Sequence, residues 1–108
     1  MNRSAEHSAL VKLTLKELTT QFKDARAFAR NVGSDTTTWV KFGTVGEADI
    51  MVLLAPRGRA LYLEAKTGNG VQRKSQKIFQ KVVETYGAQY HVFHSVEEAI
   101  NIVKNAKR

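Results

Sequence analysis

The sequence contains no cysteine and only one proline, Pro56. Without cysteine there can be no disulfide framework, no thiolate zinc site and no cysteine nucleophile, which suits a reducing compartment such as the cytoplasm. Long apolar runs are also missing. The longest lies at about positions 48–55, is interrupted by Asp49, and is far shorter than the roughly 18 residues that span a bilayer. We therefore expect a cytoplasmic location and no membrane role.

Acidic residues are scarce relative to basic ones. The 17 lysines and arginines exceed the 10 aspartates and glutamates, which gives a formal net charge of +7. Such a surplus on a small domain favours polyanionic partners, with nucleic acid first among them. Between Pro56 and Lys81 the sequence has seven basic residues and one acid, Glu64, so this carboxylate needs a specific explanation.

The residues that are present predict one mixed α/β domain over positions 1–108. Helical spacing of apolar residues predicts a helix over 4–23, while β-branched and aromatic residues predict strands over 36–42 and 48–54. A turn at 55–59 makes a hairpin with a strand over 60–67. A helix over 74–86, a strand over 89–94 and a last helix that begins at a Ser95–Glu98 capping box follow. We expect a central sheet with the hairpin in its middle and helices on its faces.

The hairpin brings together residues that could carry chemistry. A period of two places Glu64 and Lys66 on the same face of their strand. A turn centred on Arg57 and Gly58 would pair Asp49 with Lys66 and set it diagonal to Glu64, whereas a loop changed by one residue would turn Asp49 to the other face. Two carboxylates beside an ammonium suit Mg²⁺-dependent phosphodiester hydrolysis. A solvated cross-strand salt bridge is the alternative interpretation.

Most of the chain also resembles a known family, through the stretches GEADIMVL, LYLEAKTGNG, QRKSQKIFQKVVETYG and YHVFHSVEEAI. It is similar to the virus-type replication-repair nuclease (VRR-NUC) family of the PD-(D/E)XK nuclease superfamily. The matching elements are Gly46-x-x-Asp49, Glu64-Ala65-Lys66, Gln76 with Phe79, Ser95 with Glu97 and Glu98, and Arg30-Asn31, which makes 27–32 a first strand. The sequence departs from the superfamily pattern at Ala48, where a proline would precede Asp49.

The resemblance implies a fold and a set of site residues. The fold is a PD-(D/E)XK core, a central mixed sheet flanked by helices in the order α-β-β-β-β-α-β-α. Asp49, Glu64 and the carbonyl of Ala65 would be metal ligands, and Lys66 would orient or activate the attacking water. Gln76 would contact the site from its helix. A glutamate of the first helix would complete the site, for which the candidates are Glu6 and then Glu17.

The resemblance also implies a function. It is that of a Mg²⁺-dependent, structure-selective DNA endonuclease of a phage or bacterial cell, with Mn²⁺ able to substitute. The expected substrate is branched DNA, most simply a four-way junction, cut by a homodimer with Trp39, Phe42 or the last helix at its interface. Alternatives are a nuclease of the same fold that acts on flaps or linear ends, and a catalytically silent DNA-binding protein. The residues expected to bind DNA are Arg30, Arg73, Lys74, Lys77 and Lys81.

Other residues receive less specific interpretations. We assign no metal or general-base role to His7, His91 or His94. Tyr62 shares the Glu64 face and is expected to pack there. The loop from Gly68 to Gly70 lacks the pattern of an ATP-binding loop and is expected to lie near the scissile phosphate.

Overall fold

The computed structural model describes residues 5–30, 33–35, 40–42 and 46–107. It contains nine elements in the order α1 (Ala5–Gln21), β1 (Ala25–Ala29), β2 (Gly33–Asp35), β3 (Val40–Phe42), β4 (Ile50–Leu54), β5 (Arg59–Ala65), α2 (Lys74–Thr85), β6 (Gln89–Phe93) and α3 (Val96–Ala106). The predicted order is therefore confirmed, with one short additional strand, β2. Asn31 and Trp39, which entered the predictions, lie outside the described residues.

The main sheet has four strands in the order β1-β4-β5-β6. Strands β1, β4 and β5 are antiparallel neighbours, and β6 pairs parallel to β5. The hairpin of β4 and β5 is thus in the middle of the sheet, as predicted. Strands β2 and β3 form a separate two-stranded sheet, so the predicted strand at 36–42 does not join the main sheet where it is described.

The hairpin register differs from the prediction by two residues. Ile50 pairs with Leu63 and Leu54 with Arg59, so the loop is centred on Pro56 and Arg57 instead of on Arg57 and Gly58. The loop closes in this position because the amide of Gly58, at a φ of 70°, donates to the carbonyl of Leu54 at 2.8 Å. Continuing this register sets Asp49 opposite Glu64, not opposite Lys66. Because the shift is even, all three side chains stay on the predicted face.

The two faces of the sheet have different covers. On one face the aliphatic residues of the hairpin form the core with α1 and α3, which explains the alternating burial along β4. The members with no exposed surface include Ile50, Val52, Leu61, Leu63, Ala65, Phe93, Ala99 and Val103. On the other face Phe79 of α2 packs edge-on against Tyr62, at 5.1 Å between ring centroids, and against Tyr90. Helix α2 therefore covers the face that carries Glu64 and Lys66.

Helix α2 ends and helix α3 begins at the residues that the sequence indicates, but much of the apolar face of α2 is exposed. Gly87 follows α2 at a φ of 95°, and the Ser95 side chain accepts a hydrogen bond from the amide of Glu98 at 3.1 Å to begin α3. The spacing of the apolar residues of α2 places them along one helical face, but the sheet covers only part of it. Phe79 is partly covered, whereas Ile78, Val82 and Tyr86 are 56%, 50% and 85% exposed. In the part of the chain that the structure describes, no helix is long and apolar enough to cross a bilayer.

Candidate metal centre and active site

The candidate site lies at the end of the hairpin where β4 begins and β5 ends. Asp49 comes immediately before β4, Glu64 and Ala65 are the last residues of β5, and Lys66 follows. The three ionisable residues are only 3%, 2% and 9% exposed, respectively. Burying charged groups is costly unless they are paired, hydrogen-bonded or bound to a metal. The predicted alternative, a solvated salt bridge on an open sheet face, is therefore wrong.

Backbone contacts fix the position of Asp49. Its Oδ2 accepts a hydrogen bond from the amide of Ala65 at 2.9 Å, and its carbonyl accepts one from the amide of Arg30 at 2.8 Å. The Gly46 of the Gly-x-x-Asp element has a φ of 84°, and a Cβ there would come within 2.2 Å of the carbonyl oxygen of Ser75. Only glycine fits this close approach to the start of α2.

Gln76 links the carboxylate of Glu64 to the ammonium of Lys66. Its side-chain Nε2 donates to Glu64 Oε2 at 2.8 Å, and its Oε1 accepts from Lys66 Nζ at 2.8 Å. The same oxygen accepts from the amide of Arg73 at 2.8 Å, which ties the side chain to the first turn of α2. Lys66 Nζ is also 3.4 Å from Glu64 Oε2. The amide side chain, 3% exposed, thus holds opposite charges at a fixed separation.

His7 of α1 reaches the same place from the core side of the sheet. Its Nε2 lies 3.1 Å from the carbonyl oxygen of Ala65 and 3.3 Å from Asp49 Oδ2. One ligand atom each from His7, Asp49 and Glu64 lie within 4.8 Å of one another. An imidazole and two carboxylates are common metal ligands, and the Ala65 carbonyl beside them offers a further oxygen. These residues therefore fit a divalent cation.

The predicted glutamates of α1 are not brought to this cluster. Glu6 is exposed, and it precedes His7 by one residue, which turns it about 100° around the helix. Glu17 lies almost three turns further along α1, where its Oε1 accepts a hydrogen bond from Gln21 at 2.9 Å. In the described part of the chain, His7 is the α1 residue that stands where a glutamate was expected.

A cleft of about 160 Å³ opens beside the cluster between α1 and β1. It is lined by His7 and Asp49 at one side and by Lys12, Ala29 and Arg30 around the rest, with Ser8 and Val11. Arg30 forms an ion pair with the buried carboxylate of Glu47, while its own side chain is 41% exposed. Two basic side chains therefore border the opening that leads to Asp49.

The predicted DNA-binding residues of α2 are all exposed, but they point in different directions. The helical period places Lys74 and Lys81 about 140–160° around α2 from Gln76, the residue that enters the site, and Lys77 about 100° from it. Arg73 stands at the start of the helix, next to the site through the hydrogen bond from its amide to Gln76. The predicted group is thus divided between two surfaces.

The aromatic residues next to the site are packed. Tyr62 contacts Phe79, and Tyr90 lies 6.3 Å from Phe79 between ring centroids. Burial raises the pKa of the Tyr90 phenol to about 12, so the group is neutral at ordinary pH. These contacts agree with the predicted packing role of Tyr62.

Sequence reasoning gave His7 no metal or general-base role and did not single out Lys12. A signal for His7 was available, because it shares a helical face with the buried residues Thr14 and Leu18 at spacings of seven and eleven. The resemblance implied a glutamate from α1, and a metal role for His7 was rejected despite this signal. Lys12 has no comparable sequence signal, since its place beside the cleft depends on how α1 crosses β1.

The chain is similar in structure to a solved protein named "VRR_NUC domain". The two are 18% identical in sequence, and the TM-score is 0.66 over 94% of this chain and 97% of that chain. No protein-family model matches the sequence, and no curated protein matches it. The chain therefore has the VRR-NUC fold, as the sequence predicted.

Proposed function

We propose that the protein is a metal-dependent nuclease that hydrolyses phosphodiester bonds in DNA. The observation that carries this proposal is the buried group of Asp49, Glu64 and Lys66 at the end of the hairpin. Gln76 links Glu64 to Lys66, and the amide of Ala65 holds Asp49. Two carboxylates and one ammonium leave a net negative charge in a place where charge is costly, and a bound cation would offset it. The VRR-NUC fold supports the same function.

Each residue has a distinct part in the proposed reaction. Asp49, Glu64 and the carbonyl of Ala65 would hold the divalent cation, for which the sequence predicts Mg²⁺ or Mn²⁺. When bound, such a cation polarises the phosphate and lowers the pKa of a coordinated water. Lys66 carries a fixed positive charge beside the metal ligands, where it can stabilise negative charge that develops on the phosphate and orient the attacking water. Gln76 keeps that ammonium in place.

The cleft between α1 and β1 would admit the DNA backbone. Lys12 and Arg30 border it, and Arg73 stands beside the site at the start of α2. Basic groups at these positions can contact the phosphates that flank the scissile bond. Lys74 and Lys81 lie on the far side of α2 and Lys77 on its flank, so we propose that these lysines contribute to DNA binding at longer range.

We further propose a branched substrate. The described elements form one small domain with no separate unit for reading bases, so selection by DNA shape is the simpler hypothesis. A four-way junction has two equivalent strands to cut, and a homodimer would supply two sites in matching positions. The products would be a 5′-phosphate and a 3′-hydroxyl, as the resemblance to the family implies.

The experiment is a cleavage panel with a labelled four-way junction, a flap and a linear duplex, each with Mg²⁺ or Mn²⁺. Wild-type protein is compared with Asp49→Asn and Lys66→Ala, and binding is scored in the same samples. We expect cutting of the junction that both variants lose while binding survives. Cutting of flaps or ends instead would overturn the branched-junction proposal, and tight binding without cutting in either metal would overturn the nuclease proposal.

A further inference from the structure

The side chain that α1 contributes to the site is an imidazole. His7 Nε2 is 3.3 Å from Asp49 Oδ2 and 3.1 Å from the carbonyl oxygen of Ala65. Both neighbours are hydrogen-bond acceptors, so Nε2 carries the hydrogen in this arrangement and points it between two of the oxygens proposed as metal ligands. In the other neutral tautomer the hydrogen is on Nδ1, and the lone pair of Nε2 would then face the cation proposed to bind these oxygens.

A nitrogen ligand changes which cation the site prefers. Carboxylate, carbonyl and water oxygens suit Mg²⁺, a hard cation that keeps most of its water, whereas imidazole is a better ligand for first-row transition metals. With a glutamate from α1 the side-chain ligands would all be oxygens. With His7 the set is one nitrogen and two carboxylates, with the Ala65 carbonyl beside them.

We propose that His7 is a metal ligand that makes this site selective for Mn²⁺ over Mg²⁺. The inference rests on the proposed metal-dependent function and narrows it, since the sequence predicted Mg²⁺ as the main cofactor with Glu6 as the α1 residue. His7 is 14% exposed at its side chain, and it is placed by a helix that packs on the core through Leu18. The ligand is thus held by a rigid element, which favours metal selectivity that does not depend on DNA.

The test measures metal binding directly and does not depend on cleavage. Metal-free protein is titrated with Mn²⁺ or with Mg²⁺ by calorimetry, and the Mn²⁺ complex is examined by pulsed electron paramagnetic resonance for coupling to ¹⁴N. We expect a ¹⁴N coupling in the wild-type protein and its loss in His7→Glu and His7→Gln. The ratio of Mn²⁺ to Mg²⁺ affinity should fall by about 10-fold or more in His7→Glu, a change of the size that metal-site substitutions produce.

Two controls separate this inference from the function on which it rests. Glu6→Gln, one residue earlier and exposed, should retain the ¹⁴N coupling and the affinity ratio. Asp49→Asn should weaken the binding of both metals. Mn²⁺ binding that needs Asp49 but shows no ¹⁴N coupling, or a coupling that persists in both His7 variants, would overturn the role of His7 and leave the nuclease proposal standing. Absence of binding by either metal, with Asp49→Asn indistinguishable from wild type, would overturn both.

Discussion

At the scale of single residues, the side-chain amide of Gln76 forms hydrogen bonds with three groups at the site. It donates to Glu64, accepts from Lys66 and accepts from the amide of Arg73. Removing a buried side chain that forms three hydrogen bonds is costly, because each former partner then lacks a hydrogen bond that water cannot replace.

Gln76→Leu should reduce both stability and catalysis. We expect the free energy of unfolding to fall by about 1–3 kcal/mol, since buried polar groups lose hydrogen bonds. The cleavage rate should fall by about 10- to 100-fold, as for other residues that orient metal ligands. Urea unfolding and single-turnover cleavage measure these changes. Gln80→Leu, one turn later and bonded to Gln72 and Glu84, is the matched control, and equal effects of the two variants would contradict the role given to Gln76.

Gly46→Ala should destabilise the protein more than Gly58→Ala. Both glycines have a positive φ, but a Cβ at Gly46 would meet the carbonyl of Ser75 at 2.2 Å, while a Cβ at Gly58 would meet nothing within 4 Å. We expect about 1 kcal/mol of lost stability at Gly58 from backbone strain and about 2–4 kcal/mol at Gly46 from strain together with the clash. Thermal or urea unfolding gives both values. Similar losses of unfolding free energy at the two positions would contradict the clash expected between residue 46 and α2.

The residue scale also shows what the sequence could reveal about the site. The spacing of Asp49, Glu64 and Lys66 was sufficient to place three side chains on one sheet face, because strand periodicity is insensitive to an even shift of register. A metal role for His7 was rejected, since the contact of its imidazole across 58 residues depends on tertiary packing as well as on local pattern. The roles of Asp49, Glu64, Lys66 and Gln76 remain predictions that cleavage measurements can check.

At the scale of secondary-structure elements, turn geometry determines the hairpin register and helix packing determines which face of α2 is covered, and sequence patterns predicted neither. The hairpin loop was placed one residue too far along, because Pro56-Arg57-Gly58 permits a turn at either of two centres and only the bond from Gly58 to Leu54 selects one. Along α2 the apolar residues spread over a wider arc than the sheet covers, so three of them are exposed.

The element scale leads to a prediction about DNA binding. Lys12 of α1 borders the cleft that leads to Asp49, whereas Lys81 lies on the far side of α2. Lys12→Gln and Lys81→Gln each remove one positive charge. A difference in DNA affinity between the two variants therefore reports the position of the lysine. We expect Lys12→Gln to weaken binding more, and to lower the slope of log K against log salt by about 1, the loss of one phosphate contact. Fluorescence anisotropy over a salt series measures both, and identical slopes would contradict a cleft-centred path for the DNA.

Strand β6 supplies a pH dependence of stability. Burial lowers the pKa of His91 below its ordinary value of 6.5, although Glu84 acts in the opposite direction. The unfolded chain therefore binds a proton at this position more readily than the folded one, so His91 removes stability as the pH falls through 6.5. In His91→Gln the unfolding free energy should decline less between pH 7.5 and 5.5 than in the wild type. Parallel declines in urea titrations at these pH values would contradict this assignment.

At the scale of the whole molecule, the fold was more predictable than the contacts within it. The order of elements and the central hairpin followed from apolar periodicity and glycine signals, which depend on local chemistry. The small β2–β3 sheet and the separation of the basic residues into two surfaces depend on how distant segments meet. The net charge of +7 supports binding to a polyanion, but the buried cluster at the hairpin end is what makes hydrolysis the central claim.

The most direct test of that claim is removal and return of the metal. Protein stripped with a chelator is mixed with end-labelled DNA, Mn²⁺ or Mg²⁺ is then added, and the cut ends are identified. We expect no cleavage before the metal is added, and cleavage afterwards that leaves a 5′-phosphate. Asp49→Asn, shown to be folded and to bind DNA, should cut at least about 100-fold more slowly. Cleavage that continues in the chelator, or an equal rate in Asp49→Asn, would contradict a metal-dependent active site at the end of the hairpin.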